Sequence, residues 1–456
     1  MFLSNKRIKE TPSDRLSELP DSLIIHILSF LEVKQSAITA VLSKRWLNLW
    51  RESPRLVFKE MSNLPDKIRD FVGTVNRALL VLSGGRNCLK TFDIRFVYKN
   101  IYCSDVDVWL EFAIRKNVKK LILKLGSTRS PILDVYSLPQ MMFHNSSLKY
   151  LVLQVCVVAP QRKIEWQSLI RLTIARVELQ NHVIEKILSG CPVLYYLSIL
   201  GCWGFNHLEV ESKSLHKLLV CNLKNGHNQN KPFLRISAPY VHTLGVALNA
   251  KRRKLSLGNT SSLVKAGIVF TKSRLDTDSE VVDNAKELLE KIRHVKLVEM
   301  RGCCSQVLSS LAMTGYQFPQ SARTDLVVKD RTEKHSVHGI LGLLESSPNL
   351  EALVIEGRIL EKEPIICQDP KGDLSCDLLH LKTITFKNFV NPALCGEPML
   401  TLAQILLNKT PALERMNIIG IDVTSSPTPA LGEPSKIAQT LLSYPKSSAK
   451  AVIILT

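Results

Sequence analysis

The sequence has no run of about 18 apolar residues, the length that a membrane-spanning helix needs. Its first ten residues carry four charged side chains and no apolar stretch, so we expect neither a secretory signal nor a membrane partner. The 11 cysteines include no Cys-x-x-Cys pair. Zinc sites are built from such close ligand pairs, so this pattern does not indicate one. We expect reduced thiols in a protein of the nucleus, the cytoplasm or both.

Catalytic motifs are missing as well. The chain contains no G-x-x-x-x-G-K-[ST] phosphate loop, no G-x-S-x-G nucleophile turn and no H-E-x-x-H metal motif. The pair Gly84-Gly85 does not by itself cradle a phosphate, and the histidines are scattered singly along the chain. The sequence therefore predicts a protein that is not an enzyme and that needs neither a cofactor nor a metal.

What the chain does have is length and positive charge. It has 456 residues, more than the roughly 250–300 residues at which a single core stops growing, so we expect several domains or an array of repeats. Lys and Arg number 60 against 41 acidic residues, which gives a formal charge of +19. Such an excess favours acidic partners, nucleic acid or an anionic membrane surface.

Two segments concentrate this charge. Residues 115–129 contain six basic side chains and no acid, and residues 251–254 read Lys-Arg-Arg-Lys. Most runs of this kind are solvated faces, and the alternative is a site for an acidic or phosphorylated target or a small anion. The second run also resembles a short nuclear-import signal. The sequence offers no recognition helix and no interleaving of aromatic and basic residues, so we do not expect direct nucleic-acid binding.

Residues 16–50 predict three short helices. Pro20 suits the start of the first helix, because the missing N–H of proline has no helical partner there. Ser43 is expected to cap the third helix, which carries Trp46 and Trp50. Apolar side chains recur at spacings of three and four in the first helix, at Leu23, Ile24, Ile27, Leu28 and Leu31. So small a unit cannot bury them all, so they either pack against the rest of the chain or form an interface with another protein.

This segment resembles an F-box. The resemblance rests on L-P-D-S-L-I-I-H-I-L-S-F-L at residues 19–31 and A-V-L-S-K-R-W-L-N-L-W at residues 40–50, with Ser43 where many relatives have Cys. It implies that the segment docks on a Skp-type adaptor and, through the adaptor, on a cullin. The adaptor-binding residues that the resemblance assigns are Leu19, Pro20, Ile24, Ile27, Leu28, Leu31, Val41, Leu42 and Trp46.

The rest of the chain repeats itself. Three windows of 13 residues align without gaps, at 187–199, 343–355 and 406–418. Each contains the end of a helix, a proline that stops the helix, and an alternating strand whose apolar side chains share one face. The strand signature apolar-x-x-apolar-x-apolar has a weaker copy that passes through Leu326 and Val328. Further copies begin at Leu89, Val118, Leu148, Leu169, Leu215, Val241, Leu263, Val295 and Leu381.

These repeats are similar to irregular plant leucine-rich repeats, a family whose period is about 20–29 residues. The predicted fold class is an α/β solenoid, in which a small N-terminal three-helix F-box precedes an irregular leucine-rich-repeat arc with a parallel sheet on its concave side. The C-terminal part from Asp377 to Gly420 is similar to the FBD region of plant F-box proteins. We predict an F-box at 12–53, a connector and N-terminal cap at 54–88, irregular repeats at 89–376, and FBD-like final repeats with a C-terminal cap at 377–456.

The predicted target surface consists of outward positions on the repeat strands, because side chains between the apolar positions face away from the core. Cys156, Cys202 and Cys303 lie three residues after the last apolar residue of a strand, and we expect them to pack in the repeats rather than to take part in redox or metal chemistry. The predicted substrate-binding residues are Lys120, Lys124, Tyr150, Arg171, Tyr196, Lys217, Glu299, Arg301 and Arg415.

Together the resemblances imply a substrate-recognition subunit of an SCF-type (cullin-RING) E3 ubiquitin ligase. In this hypothesis the F-box docks on the adaptor, and the repeats bind an unknown target protein for ubiquitination. The alternative is a non-proteolytic repeat scaffold or sensor that binds a protein or a small anion.

Overall fold

The computed structural model describes residues 18–84, 89–126, 134–221, 233–249, 254–271, 279–330, 336–357, 374–389, 397–420 and 434–455. The chain forms two compact units. The first comprises residues 1–177 with 190–193, and the second comprises residues 178–189 with 194–456. Of the two predicted basic segments, Arg129 and residues 251–253 lie outside the described residues.

The first unit begins with a helical module at residues 18–52. It contains the three predicted helices, α1 (Asp21–Leu28), α2 (Val33–Ile38) and α3 (Trp46–Leu49). The expected cap of the third helix was wrong. This helix starts after Arg45 and has no side-chain cap, and Ser43 contributes only its backbone oxygen, which accepts a 3.1 Å hydrogen bond from the Trp46 amide.

Parallel strands and two longer helices follow in the remainder of the first unit. Its elements are β1 (Arg55–Glu60), α4 (Pro65–Ser83), β2 (Thr91–Phe96), α5 (Cys103–Arg115), β3 (Lys120–Lys124), β4 (Tyr136–Ser137), β5 (Tyr150–Gln154), β6 (Cys156–Val157) and β7 (Arg171–Ala175). Strands pair in the order β1-β2-β3-β5-β7, and β4 pairs with β6. Helix α4 carries Pro65 in its first turn, where the absent N–H costs no hydrogen bond.

The second unit repeats the same plan. Its elements are α6 (Asn181–Ser189), β8 (Tyr196–Leu200), β9 (His207–Glu209), β10 (Lys217–Cys221), β11 (Phe233–Ser237), β12 (Thr243–Asn249), β13 (Lys254–Leu257), β14 (Lys265–Thr271), α7 (Ser279–Lys291), β15 (Leu297–Gly302), α8 (Cys304–Met313), β16 (Asp325–Asp330), α9 (Ser336–Glu345), β17 (Ala352–Gly357), β18 (Thr383–Phe389), α10 (Glu397–Lys409), β19 (Arg415–Gly420), α11 (Pro434–Ser443) and β20 (Val452–Leu455). Parallel pairing runs β8-β10-β12-β14-β15-β16-β17-β18-β19-β20, with a smaller sheet β9-β11-β13.

Alternation of side chains explains why these segments form strands. In β5, Leu151 and Leu153 are buried, whereas Tyr150 is exposed, and the same pattern holds in β7. In β3 the intervening Ile122 is buried as well. Because the strands pair in register, the second and fourth residues of neighbouring strands form continuous apolar rows. The predicted class is confirmed: helices at the N-terminus precede repeats whose parallel strands pair with those of adjacent repeats.

One repeat breaks the apolar row. Arg323 lies two residues before β16, the position that Val295 and Leu350 hold before the neighbouring strands, and all three side chains are buried. The Arg323 guanidinium nitrogens have no hydrogen-bond partner in the described structure. Burial lowers the pKa of Arg323 to about 10. The strand signature through Leu326 and Val328 is therefore weak because an arginine replaces the first apolar residue of the repeat.

Candidate functional site

The helical module has a small core of its own. Ile24 and Leu28 of α1 are fully buried against Trp46 and Leu49 of α3. Polar contacts fix the same arrangement. Arg45 donates from Nε to Asp21 Oδ1 at 2.7 Å and from Nη2 to the Leu19 carbonyl at 2.6 Å, which joins the start of α1 to the start of α3. The module therefore holds its shape with its apolar residues divided between an inner and an outer face.

The outer face of the module is apolar and exposed. Leu23, Ile27 and Phe30 follow each other at spacings of four and three, so they share one side of α1 and its last turn. The end of α2 and the segment after it add Ile38, Val41 and Leu42, and Val41 is 83% exposed. Large apolar side chains grouped on so small a module are typical of a protein-docking surface.

The inner side of the module contacts the first strand of the sheet. Helix α2 packs beside β1, where Val33 is buried and the Glu32 carboxylate lies 3.1 Å from Lys59 Nζ. The outward-facing third residues of the first three strands, Val57, Asp93 and Ile122, are buried as well. One side of the module therefore packs on the chain, whereas the other side stays exposed.

The structure divides the nine residues predicted to bind the adaptor into three groups. Ile24, Leu28 and Trp46 are buried in the core of the module, so their contribution to an outer surface is to support it. Leu19 and Leu31 are half-buried against that core. Pro20, Ile27, Val41 and Leu42 are exposed. The sequence analysis missed Leu23, Phe30 and Ile38, although the spacing of Leu23 and Phe30 from Ile27 marks a second helical face.

The predicted target residues of the first unit lie close together. Lys120, Tyr150 and Arg171 are the first residues of three neighbouring strands, pair directly in register and are exposed. Lys124 lies at the other end of β3 and is only half-exposed. Burial, together with the positive charge of Arg95, lowers the pKa of Lys124. Arg95 itself is held by Asp93 through two hydrogen bonds of 2.8 Å.

Glu299 is the centre of an ion-pair network in the second unit. Its carboxylate lies 2.5 Å from Arg301, 3.5 Å from Lys265 and 3.5 Å from Lys329, and Lys329 also reaches Glu356 at 3.3 Å. Burial by itself would raise the pKa of Glu299, but the hydrogen bond from Arg301 and the three positive charges outweigh it, so the pKa lies below its ordinary value. Glu299 is 8% exposed, so it holds this surface together rather than presenting a carboxylate to a partner.

The remaining predicted residues lie apart from this network. Tyr196 and Lys217 pair in register, and Lys217 Nζ lies 5.7 Å from the ring centroid of Tyr195. The Tyr195 ring stacks on the His216 ring at a centroid distance of 5.1 Å, and His216 stacks on His242 at 4.8 Å. Arg415 is exposed on β19, four strand positions beyond β15. The five predicted residues of the second unit are thus two groups and one arginine that lies apart on β19.

The described cysteines are free thiols, and most of them pack in the repeats. Cys156 and Cys202 are buried, and Cys303 donates from Sγ to the Phe270 carbonyl of the preceding repeat at 3.1 Å. Burial raises the pKa of Cys191 to about 12 and that of Cys221 to about 11. The described residues contain no cluster of three or more His, Cys, Asp or Glu side chains arranged for a metal ion. None of the helices within these ranges is long and apolar enough to cross a bilayer.

Two family models match the chain. The first is an F-box domain over residues 16–58, which covers the helical module and β1. The second is the At1g61320/AtMIF1 LRR domain over residues 84–433, which covers most of both units. Together they span the outer face of the helical module and the repeat strands described above.

Curated relatives from Arabidopsis thaliana extend these matches. The F-box/LRR-repeat protein At5g02910 is 29% identical over 350 residues, which are 75% of this chain and 72% of the relative. The F-box/LRR-repeat protein At3g03360 is 27% identical over 377 residues, which are 78% of this chain and 74% of the relative.

Proposed function

Since this chain belongs to the F-box/LRR family, with a repeat region of the At1g61320/AtMIF1 type, we propose that it is a substrate-recognition subunit of an SCF-type (cullin-RING) E3 ubiquitin ligase. In this role the helical module docks on a Skp-type adaptor, the adaptor joins it to a cullin, and the repeats bind a target protein for ubiquitination. Members of the family are in general non-catalytic adaptor subunits, and we propose the same for this chain.

One observation carries the docking half of the proposal. The module keeps a closed core of Ile24, Leu28 and Trp46 while Ile27 and Val41 remain exposed on its outer side. Fully covering an apolar side chain of this size contributes about 1.5–3 kcal/mol. A partner that covers the outer face therefore gains apolar burial free energy, and the closed core of the module need not open for it.

The second half of the proposal is a matter of proximity. A receptor of this kind performs no bond chemistry and instead holds lysines of the target beside the ubiquitin-charged enzyme. That raises their effective concentration and leaves the reaction to the other subunits. We propose the nucleus, the cytoplasm or both as the site of action.

Adaptor binding is tested by charge substitution on the outer face. The full-length protein is co-expressed with a Skp-type adaptor, and co-purification is compared for wild type and for Ile27→Asp with Val41→Asp. Both side chains are exposed, so the variant is expected to fold and to lose at least 10-fold in adaptor affinity. Ile101→Asp is the matched control, because Ile101 is 79% exposed outside the module.

Retention of the adaptor by the double variant, or its absence from the wild-type preparation, would count against the proposal. Leu28→Ala serves as a folding reference, since removing a fully buried leucine costs about 2–5 kcal/mol and acts on stability first. Proximity labelling with and without proteasome inhibition then separates a degradation receptor from a non-proteolytic scaffold. A receptor accumulates labelled partners under inhibition, whereas a scaffold does not.

A further inference from the structure

The start of the sheet in the first unit carries a ladder of lysines. Lys90, Lys119 and Lys149 each directly precede the first residue of β2, β3 and β5, and Lys120 is the first residue of β3. The Lys90 carbonyl accepts hydrogen bonds of 3.0 and 2.9 Å from the amides of Lys119 and Lys120. The Lys119 carbonyl accepts bonds of 2.8 and 3.0 Å from Lys149 and Tyr150 in the same way. We call these four residues the lysine ladder.

The ladder lies in a surface that contains no acid. Five strands of the first unit, β1, β2, β3, β5 and β7, pair in this order. Their first residues and the residue before each make up ten positions, of which six are Lys or Arg and none is Asp or Glu. All four ladder lysines are exposed. Within the described parts of the chain, none of their side chains makes a hydrogen bond or an ion pair.

The opposite end of the same strands differs. There Lys59 pairs with Glu32, and Arg95 pairs with Asp93, so the chain neutralises two of the basic residues at that end. At the ladder, like charges stand on adjacent strands about 4.8 Å apart, an arrangement that destabilises a sheet. The unneutralised charge is therefore concentrated at one end of the strands.

We infer that the lysine ladder is the docking site for an extended, Asp- and Glu-rich segment of the target protein. This site rests on the proposed function, because it assigns a substrate class to the repeat surface. The three strands of the ladder, β2, β3 and β5, span about 10 Å, the length of roughly three extended residues, and alternate side chains of such a segment face the same way. Two carboxylates therefore lie over the ladder at once.

The chemistry of the ladder favours this occupant over two others. Arginine is over-represented where paired N–H groups bind a phosphate, whereas all four ladder residues are lysines, which act as point charges. Single-stranded nucleic acid is bound by basic grooves with interleaved aromatic rings, and the ten positions contain one aromatic residue, Tyr150. A carboxylate-rich peptide needs neither feature.

The test uses the full-length protein purified with its adaptor and a fluorescent 12-residue peptide of alternating Glu and Ser. Anisotropy titrations at low salt compare wild type, Lys119→Glu with Lys149→Glu, and the control Lys67→Glu with Lys163→Glu. Both variants change the net charge equally, and all four side chains are exposed. We expect at least 10-fold weaker binding for the ladder variant, less than 2-fold change for the control, and binding by wild type that weakens as salt rises.

Equal losses in the two variants would overturn the docking site, since net charge alone would then explain binding. So would the absence of peptide binding by wild type, or tighter ladder-dependent binding of a phosphopeptide or of single-stranded DNA with the same charge. The ladder variant should still co-purify with the adaptor, because the outer face of the helical module is unchanged. If no preparation, wild type included, retains the adaptor, the ligase role is refuted. The peptide titrations are then carried out on the protein without the adaptor, so the docking site is tested independently.

Discussion

The Glu32 carboxylate lies 3.1 Å from Lys59 Nζ and joins the helical module to the first strand of the repeats. Arg95 on the next strand also feels the charge of Glu32. The contact fixes which side of the module faces the sheet, and the apolar outer face consequently stays available to a partner.

Reversing the charge of Glu32 should loosen the module without unfolding it. In Glu32→Lys the new ammonium repels Lys59 and Arg95, and the capping box of α2 loses the Glu32 carboxylate, so we expect amide hydrogen exchange in α2 to accelerate several-fold. Both partners of the pair are partly solvated, so the loss in overall stability should stay below about 1 kcal/mol. Glu52→Lys, at an exposed position of the same module, is the control, and equal exchange in the two variants would contradict a fixing role.

Replacing Arg323 by leucine should stabilise the protein. Leucine restores the apolar row that Val295 and Leu350 belong to, and it removes a buried cation without a partner in the described structure. Exchanging buried charges for apolar residues stabilises proteins by about 1–4 kcal/mol in favourable cases. We expect a higher midpoint of thermal unfolding for Arg323→Leu and little change for Arg235→Leu, a control at an exposed strand position.

The advantage of Arg323→Leu should depend on pH. A base with a lowered pKa destabilises the folded protein at pH values where it remains charged, and this penalty shrinks once the folded form loses its proton. The pKa of Arg323 lies at about 10, so the difference between the two proteins should be constant from pH 7 to 9 and should narrow above pH 10. A lower midpoint for Arg323→Leu at pH 7 would instead mean that the guanidinium has a stabilising partner.

Glu299 should stabilise the second unit only while it is ionised. Its pKa is lower than in the unfolded chain, so its contribution is present above the ordinary value of about 4.5 and disappears as the pH falls through the lower, folded value. Glu299→Gln should therefore unfold at a lower temperature than wild type at pH 7. The two melting curves should converge in acid, and a constant difference down to pH 3 would show that packing rather than charge is responsible.

Thiol labelling should separate the cysteines by burial. Cys103 and Cys376 are exposed, so brief alkylation of the native protein at pH 8 should modify them first. Cys191 should resist labelling until the protein is denatured, because burial both blocks access and raises its pKa to about 12. Peptide mass spectrometry measures the order, with Cys103→Ser as the control for the first site. Early labelling of Cys191 would show that this repeat opens in the native state.

Local patterns in the sequence were sufficient for the helices of the module and for the main strands of the repeats, but not for the strands of the smaller sheets β4-β6 and β9-β11-β13. The spacing of Ile24 and Leu28 predicts a helix, and the apolar-x-x-apolar-x-apolar spacing of Leu148, Leu151 and Leu153 predicts a strand. Both rest on backbone geometry, in which side chains recur every three to four residues or every two. The sequence could not separate Ile24 from Ile27, since both are apolar and both lie on α1, and only the packing of Trp46 decides which one is buried.

The sequence by itself therefore determined the class of the protein, a short helical module followed by parallel-stranded repeats, because hydrophobic periodicity acts over a few residues. The tertiary structure alone decided which charges meet. Glu299 contacts Lys265 and Lys329, each about 30 residues away along the chain, because strand register brings successive repeats side by side. Lys90, Lys119 and Lys149 are each the second residue of a repeat signature, and the strand register of the structure brings these three positions side by side.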